Sequence, residues 1–340
     1  MSATPSTPSR ARPPDPGFLR RMRTALSRIL EREPVKVTTE SRRGGDRRYL
    51  DPAVIARFGP TPLLARRVVE GFLSGLHRSP FRGFSVEFAD HREYVPGDDL
   101  KFLDWMLYAR TDHYYIKRSV EETNVRCFIM LDRSASMGFG TEGLTKWDYA
   151  CFLASCFGYL MLKQQDAVGL CLFGDRPGVM VPARCRSTHL HELMRAMVRN
   201  PPAGGTDAAA SLKALVGRLK RRSLVVVISD LIDDPEETAR ALRLIGAHGH
   251  DVIVFHVQDP AETDLAFEGA AVFRDLETGE ELEADPKSLR EAYAEEARNL
   301  SALYRKRLAD AGIDYVPLPT SQPYDTALAA YLKRRSDIRG

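Results

Sequence analysis

At 340 residues, with 44% hydrophobic and 28% charged side chains, the chain is long enough for one large domain and a smaller one, and its composition is that of an ordinary soluble globular protein. Its formal charge of +3 is unevenly spread: residues 1–50 hold 12 Lys or Arg against 5 Asp or Glu, and the remainder holds 37 against 41. A mildly acidic body argues against a nucleic-acid groove. The longest apolar run, Tyr149 to Leu162, falls short of the ~20 residues that span a bilayer.

The first 16 residues are Pro, Ser, Thr and Arg with almost no hydrophobes, a composition expected to be disordered. From Phe18 to Leu30 apolar residues keep helical spacing, with Arg20, Arg21, Arg23 and Arg28 between them. This basic amphipathic helix suits weak contact with an anionic membrane surface, or docking on protein. No apolar signal-peptide core follows the N-terminal charges. Cys127, Cys151, Cys156, Cys171 and Cys185 are odd in number, show no C-x-x-C and lie mostly in apolar segments. They read as buried free thiols in a reducing compartment, hence a cytoplasmic protein.

Residues 1–49 thus form a basic arm. Residues 50–124 form a helical and β region, with a helix around Pro62 to Leu76. The alternating stretches "FSVEFADHREYV" and "HYYIKRSVEE" are separated by a turn at "PGDD". From 125 to 335 strands and helices alternate. Strands are expected at 125–131, 167–173, about 178–182, 224–229, 252–257 and 314–318. Helices are expected at 146–163, 188–199, 207–221, 235–247, 286–311 and 324–335. Strands as apolar as "LVVVIS" and "DVIVFHV" need cover on both faces, so the fold class is α/β, a doubly wound and mostly parallel sheet. Ligands of such sheets bind beyond the carboxyl ends of the strands.

"FIMLDRSASMGFG" leaves the first of these strands through Asp132, Ser134 and Ser136, and Asp230 is the first strongly polar side chain after "LVVVIS". Capping does not account for them, because the helices that follow have caps of their own. Thr145 and Asp148 form a capping-box pattern, and Asp234 precedes Pro235. Thr206 in "GGTDAAA" is ambiguous between capping and ligation, since Asp207 is an equal cap. A nucleophile is disfavoured by the lack of a G-x-S-x-G elbow and by the absence of any histidine segment that obviously returns to this edge. Serine at 134 cannot act as the acid of an aspartyl-phosphate mechanism. Oxygen ligation of a hard divalent cation fits best: Mg2+, with Mn2+ or Ca2+ as alternatives, held by Asp132, Ser134, Ser136, Thr206 and Asp230.

This set resembles the metal-ion-dependent adhesion site of von Willebrand factor A domains. The segment "GLHRSPFRGFSVEFADHREYVPGDDLKFLDWMLYARTDHYYIKRSVEET", with "HVQDPAETDL" and "FRDLETGEEL", resembles domain-of-unknown-function family 58 from about residue 50 to 335. Its most specific part includes Arg92, Tyr94, Asp98, Asp99, Asp104, Trp105 and Arg110, with Lys101 where an arginine is expected. The resemblance implies a non-enzymatic protein working beside a MoxR-type AAA+ ATPase on an unidentified protein client. The Arg92 to Arg110 cluster reads either as an ion-pair network fixing one region to the other or as a partner surface. The rival readings are a metal-dependent phosphoryl hydrolase and a membrane-surface protein anchored by residues 18–30. "HLH" at 189–191 and "KRR" at 220–222 read as solvated helix faces.

Overall fold

The computed structural model describes residues 61–78, 91–94, 105–117, 126–141, 143–175, 177–205, 207–219, 221–264, 271–274, 281–284 and 286–339. The basic arm with its expected helix, and the residues Asp98, Asp99, Lys101, Asp104 and Thr206, lie outside the described residues.

In chain order the elements are α1 (Pro62–Arg78), β1 (His91–Glu93), α2 (Trp105–Thr111), β2 (Tyr115–Lys117), β3 (Arg126–Asp132) and a 3-10 turn (Ala135–Gly138). Next come β4 (Gly140–Thr141), β5 (Leu144–Thr145), α3 (Lys146–Lys163), β6 (Ala167–Phe173), β7 (Pro177–Arg184), α4 (His189–Arg199) and α5 (Ala208–Val216). The chain continues through β8 (Leu224–Ser229), α6 (Pro235–Ala247), β9 (Asp251–Gln258), α7 (Pro260–Asp264), β10 (Ala271–Arg274), β11 (Glu281–Ala284), α8 (Pro286–Ala309), β12 (Asp314–Pro319) and α9 (Asp325–Arg339).

Six strands form one sheet in the order β12-β9-β8-β3-β6-β7. All neighbours are parallel except β7, which runs antiparallel beside β6 at the edge. Successive side chains of a strand face opposite sides, and β3 shows it. Cys127, Ile129 and Leu131 face a layer containing residues of α1, α3, α4 and α9, whereas Phe128 and Met130 face α5, α6 and α8. The sheet is doubly wound, as expected. Each fully buried Val, Leu, Ile or Phe contributes about 1.5–3 kcal/mol relative to exposure, so a core of this extent does not depend on any bound ion. Among the described residues no helix is long and apolar enough to cross a membrane.

Local chemistry explains the boundaries. The hydroxyl of Thr145 accepts from Asp148 N while the Asp148 carboxylate accepts from Thr145 N, closing the capping box that starts α3. The Asp234 carboxylate accepts from Glu236 and Glu237 N above Pro235 and starts α6. Asp207 caps α5 by accepting from Ala210 N. That helix stops at Val216, short of the expected 221, because Gly217 follows. The last turn then tightens through Arg218 N to Leu215 O and Leu219 N to Val216 O.

Other departures are additions. β10 and β11 pair as an antiparallel hairpin that the charged stretch "FRDLETGEEL" did not announce. α1 lends Ala65, Val68, Val69 and Phe72 to the main core, and its Glu70 accepts from the Tyr159 hydroxyl at 2.9 Å. His189 is buried rather than solvated, bonded to Val168 O and Glu192. Four cysteines are buried, and burial raises the thiols of Cys151, Cys156 and Cys171; Cys185 is exposed, against expectation.

The β4–β5 pairing ends at Thr145, which caps α3. A Cβ at Gly140 would lie 2.1 Å from Leu144 O and 2.4 Å from the Thr145 Cα, both backbone atoms that cannot swing aside. Gly140→Ala should therefore open this pairing and loosen the cap, costing about 2–3 kcal/mol. Denaturant unfolding of the variant, with an unchanged m-value, is the check.

Candidate metal and carboxylate centre

Four chain segments meet beyond the carboxyl ends of the central strands. β3 and β8 are hydrogen-bonded neighbours, so their ends bring Asp132 and Asp230 to one edge. Arg133 N donates to Phe173 O at 2.8 Å, fixing the exit of β3 against β6. The segments flanking Thr206 dock on the same loop: Ala203 N donates to Arg133 O, Ala135 N to Gly204 O, and Asp207 N to Gly174 O. Gly204 makes this turn with φ +81°, which a side chain would strain. After Asp230 the chain reverses at Leu231, whose φ of 51° is unusual for a bulky residue. Leu231 N donates to the Ser229 hydroxyl, which holds the reversal in place.

The structure thus brings together Asp132, Ser134, Ser136 and Asp230, all buried. One Asp132 oxygen accepts from Ser134 N at 2.9 Å and the other from the Ser229 hydroxyl at 2.6 Å. The Ser134 and Ser136 hydroxyls lie 2.9 Å apart. Ser134 precedes the 3-10 turn without a side-chain capping bond, so its hydroxyl has no helix-start role. Burial, and then the charge of Asp230, push the Asp132 carboxyl up to about 7.

Asp230 has a partner that the sequence reading missed. The Lys146 ammonium, fully buried at the first position of α3, donates to Asp230 Oδ2 and to Glu262 Oε1, each at 2.7 Å. It also lies 5.9 Å from the centre of the Phe139 ring, a cation–π contact. Burial alone would raise Asp230, but the Lys146 charge, with hydrogen bonds from Lys146 and Ser136, holds its carboxyl below the ordinary range. Burial would likewise lower Lys146, and the attraction of Asp230 and Glu262 outweighs it, holding the ammonium high. Glu262, buried and beside Asp230, is pushed up to about 7 even with Lys146 next to it.

A histidine does reach this edge. His256, near the end of β9, bonds Asp230 O through Nε2 at 2.9 Å and the Tyr315 hydroxyl through Nδ1 at 2.5 Å. Both ring nitrogens are engaged there, so His256 steadies the Asp230 backbone rather than serving either serine as a base.

The donor set suits a hard cation. Asp132 and two hydroxyls offer oxygen only, and burial first, with the neighbouring Asp230 charge second, drives the Asp132 carboxyl up to about 7. Among the described residues no group of three or more His, Cys, Asp or Glu could hold a metal ion.

In the region ahead of the sheet, β1 and β2 pair antiparallel with Arg92 opposite Ile116. Tyr94 N donates to Tyr114 O, and Tyr114 stacks on Tyr108 with ring centres 4.5 Å apart. Trp105 opens α2 and Arg110 lies near its end, exposed, with no ion pair to another described residue.

The family model described as "Protein of unknown function DUF58" matches residues 90–302. The uncharacterized protein Rv1480 of Mycobacterium tuberculosis is 29% identical over 297 residues, covering 85% of this chain and 93% of that one. Mb1516, an uncharacterized protein of Mycobacterium bovis, matches to the same extent. Among solved structures, the conserved hypothetical protein BatB from Bacteroides thetaiotaomicron is similar with a TM-score of 0.38 and 16% identity, over 63% of this chain and 98% of that chain. The vWF domain of the type V pili tip protein Mfa5 from Porphyromonas gingivalis gives 0.36 and 14%, over 64% and 96%.

Proposed function

The chain belongs to the family described as protein of unknown function DUF58, and on that premise we propose that it is a non-enzymatic adaptor that binds a partner protein in a metal-dependent way. The observation that supports this reading is the convergence of the Asp132 carboxylate with the Ser134 and Ser136 hydroxyls at the end of a central strand, beside Asp230. These three side chains would hold Mg2+, Mn2+ or Ca2+, with Thr206 as a further hydroxyl and Asp230 behind them sharing its charge with Lys146. When bound, the ion supplies a Lewis-acidic position that accepts an Asp or Glu carboxylate of the partner.

Asp132, Ser134 and Ser136 are fully buried in this conformation, so partner capture requires the surrounding loop residues to yield. The proposed partner is a MoxR-type AAA+ ATPase acting on a protein client. This chain has no G-x-x-x-x-G-K-[ST] motif, and a separate ATPase would supply the energy. A hydrolase would need a free acid or base at the edge. Glu262 has a suitable pKa, but one oxygen accepts from Lys146 and the other from Asp259 N, so it is not placed for transfer.

Asp132→Asn is the variant of choice, because asparagine preserves the shape and the acceptor for Ser134 N. Wild type should retain a purified MoxR-type ATPase in Mg2+ and lose it in EDTA, and Asp132→Asn should fail in both. Equal retention by both proteins, insensitive to EDTA, would move the docking site elsewhere, with the Arg92 to Arg110 surface next.

A further inference from the structure

We propose that Lys146 is a resident counter-cation of this edge that competes with the divalent ion, so that metal affinity is set by whether Asp230 is held by the lysine. The inference rests on the metal-dependent reading above and deepens it. Lys146 is the residue immediately after the capping Thr145, where the positive end of the α3 dipole disfavours a second positive charge. Its burial is equally unfavourable for an ammonium. The two contacts that offset both costs are the carboxylates of Asp230 and Glu262, each 2.7 Å away. Arg133, the other basic residue of the loop, makes no ion pair with these acids among the described residues.

The consequence follows from charge. With Lys146 in place, Asp230 Oδ2 is committed and the edge carries one positive charge against three acids. A divalent ion beside Asp132, Ser134 and Ser136 meets an ammonium already bound to the neighbouring carboxylate, and the two cations repel. Methionine is nearly as long as lysine and carries no charge. Lys146→Met therefore frees Asp230 and removes the repulsion, which should tighten metal binding by about tenfold or more. The same substitution leaves two buried acids uncompensated, so the variant should unfold earlier in EDTA and recover with metal.

The test is calorimetric titration of MnCl2 into full-length wild type, Lys146→Met and the Lys146→Met/Glu262→Gln pair, with thermal unfolding in EDTA and in Mn2+. The double variant removes one charge of each sign, leaves one buried acid uncompensated instead of two, and should be the less destabilised of the pair. Tighter binding by either variant, lost on adding Asp132→Asn, supports the inference. Binding by wild type that is unchanged or weakened in both variants overturns it and leaves the metal-dependent reading standing, with Lys146 a structural ion pair only. No binding by any of the three proteins overturns both.

Discussion

Asp230→Ala lowers the melting temperature of the metal-free protein by on the order of 10 °C. Removing one member of a buried ion pair costs about 3–5 kcal/mol, and a domain of this size loses about 2–4 °C per kcal/mol. Lys146 and Asp230 are both buried and 2.7 Å apart, so this pair meets the condition. Glu262 softens the loss, because it keeps its own bond to the ammonium and its carboxyl would ionise more readily beside an otherwise unpaired lysine. The Asp230 carbonyl keeps its bond to His256, while Ile232 N loses its acceptor on Asp230 Oδ1 at 3.4 Å, which adds to the loss. Asp132→Asn provides the contrast. No cation is paired with Asp132 among the described residues, and Asp230 repels it. Asparagine loses the acceptor for the Ser229 hydroxyl but also removes that repulsion, so its cost should be well below that of Asp230→Ala. Differential scanning calorimetry in EDTA separates them, and equal melting temperatures for wild type and Asp230→Ala would mean that the Lys146 pair adds nothing net. Partner-binding experiments accordingly belong to Asp132→Asn, the less destabilised of the two variants.

What could be read from the sequence follows from where its signals are local. α3 and α6 begin and end at the expected residues because their caps, Thr145 with Asp148 and Asp234 with Pro235, are written within a few positions. The strands were legible because runs such as "LVVVIS" have no other home than a sheet covered on both sides. Asp132 and Asp230 could be placed at one edge because parallel strands end together. Contacts between distant segments were not legible. Lys146 and Glu262 are 116 positions apart, and neither shows periodicity pointing at the other. One signal was present: a lysine at the first position of a helix opposes the dipole, and a helix with a good cap has no need of it. His256 was hidden for a different reason. A single polar residue in an apolar strand reads as an interruption, and only the register of β8 with β9 sets it opposite Ser229, next to Asp230.

The metal-free protein should lose stability as pH rises from about 5 to 8, the reverse of ordinary acid unfolding. Asp132 titrates at about 7 in the folded chain against an ordinary 3.8, through burial and then Asp230; Glu262 titrates at about 7 against 4.5, through burial first. An acid whose folded pKa lies above its unfolded value binds more protons when folded between those two values. Its contribution is whole below the unfolded pKa, near 4, and is lost as pH climbs through the folded one, near 7. Groups shifted downward, Asp230, Glu70 and Glu237, act oppositely, but their contribution is lost only below about pH 5 and is already complete across the window above it. His250, buried and lowered first by that burial, contributes stability that grows with rising pH in the same window and offsets part of the fall. Asp233, also raised by burial, adds to the fall. Three raised carboxyls against one histidine leave a net decline. Melting temperatures measured in EDTA from pH 5 to 8 should fall for wild type and fall less for Asp132→Asn, because asparagine has no proton to lose. Saturating Mg2+ should flatten the wild-type profile alone, since a cation beside Asp132 favours the ionised form that burial disfavours. Parallel profiles for the two proteins in EDTA would mean that Asp132 ionises like any surface carboxyl, and that neither its burial nor the Asp230 charge holds its proton.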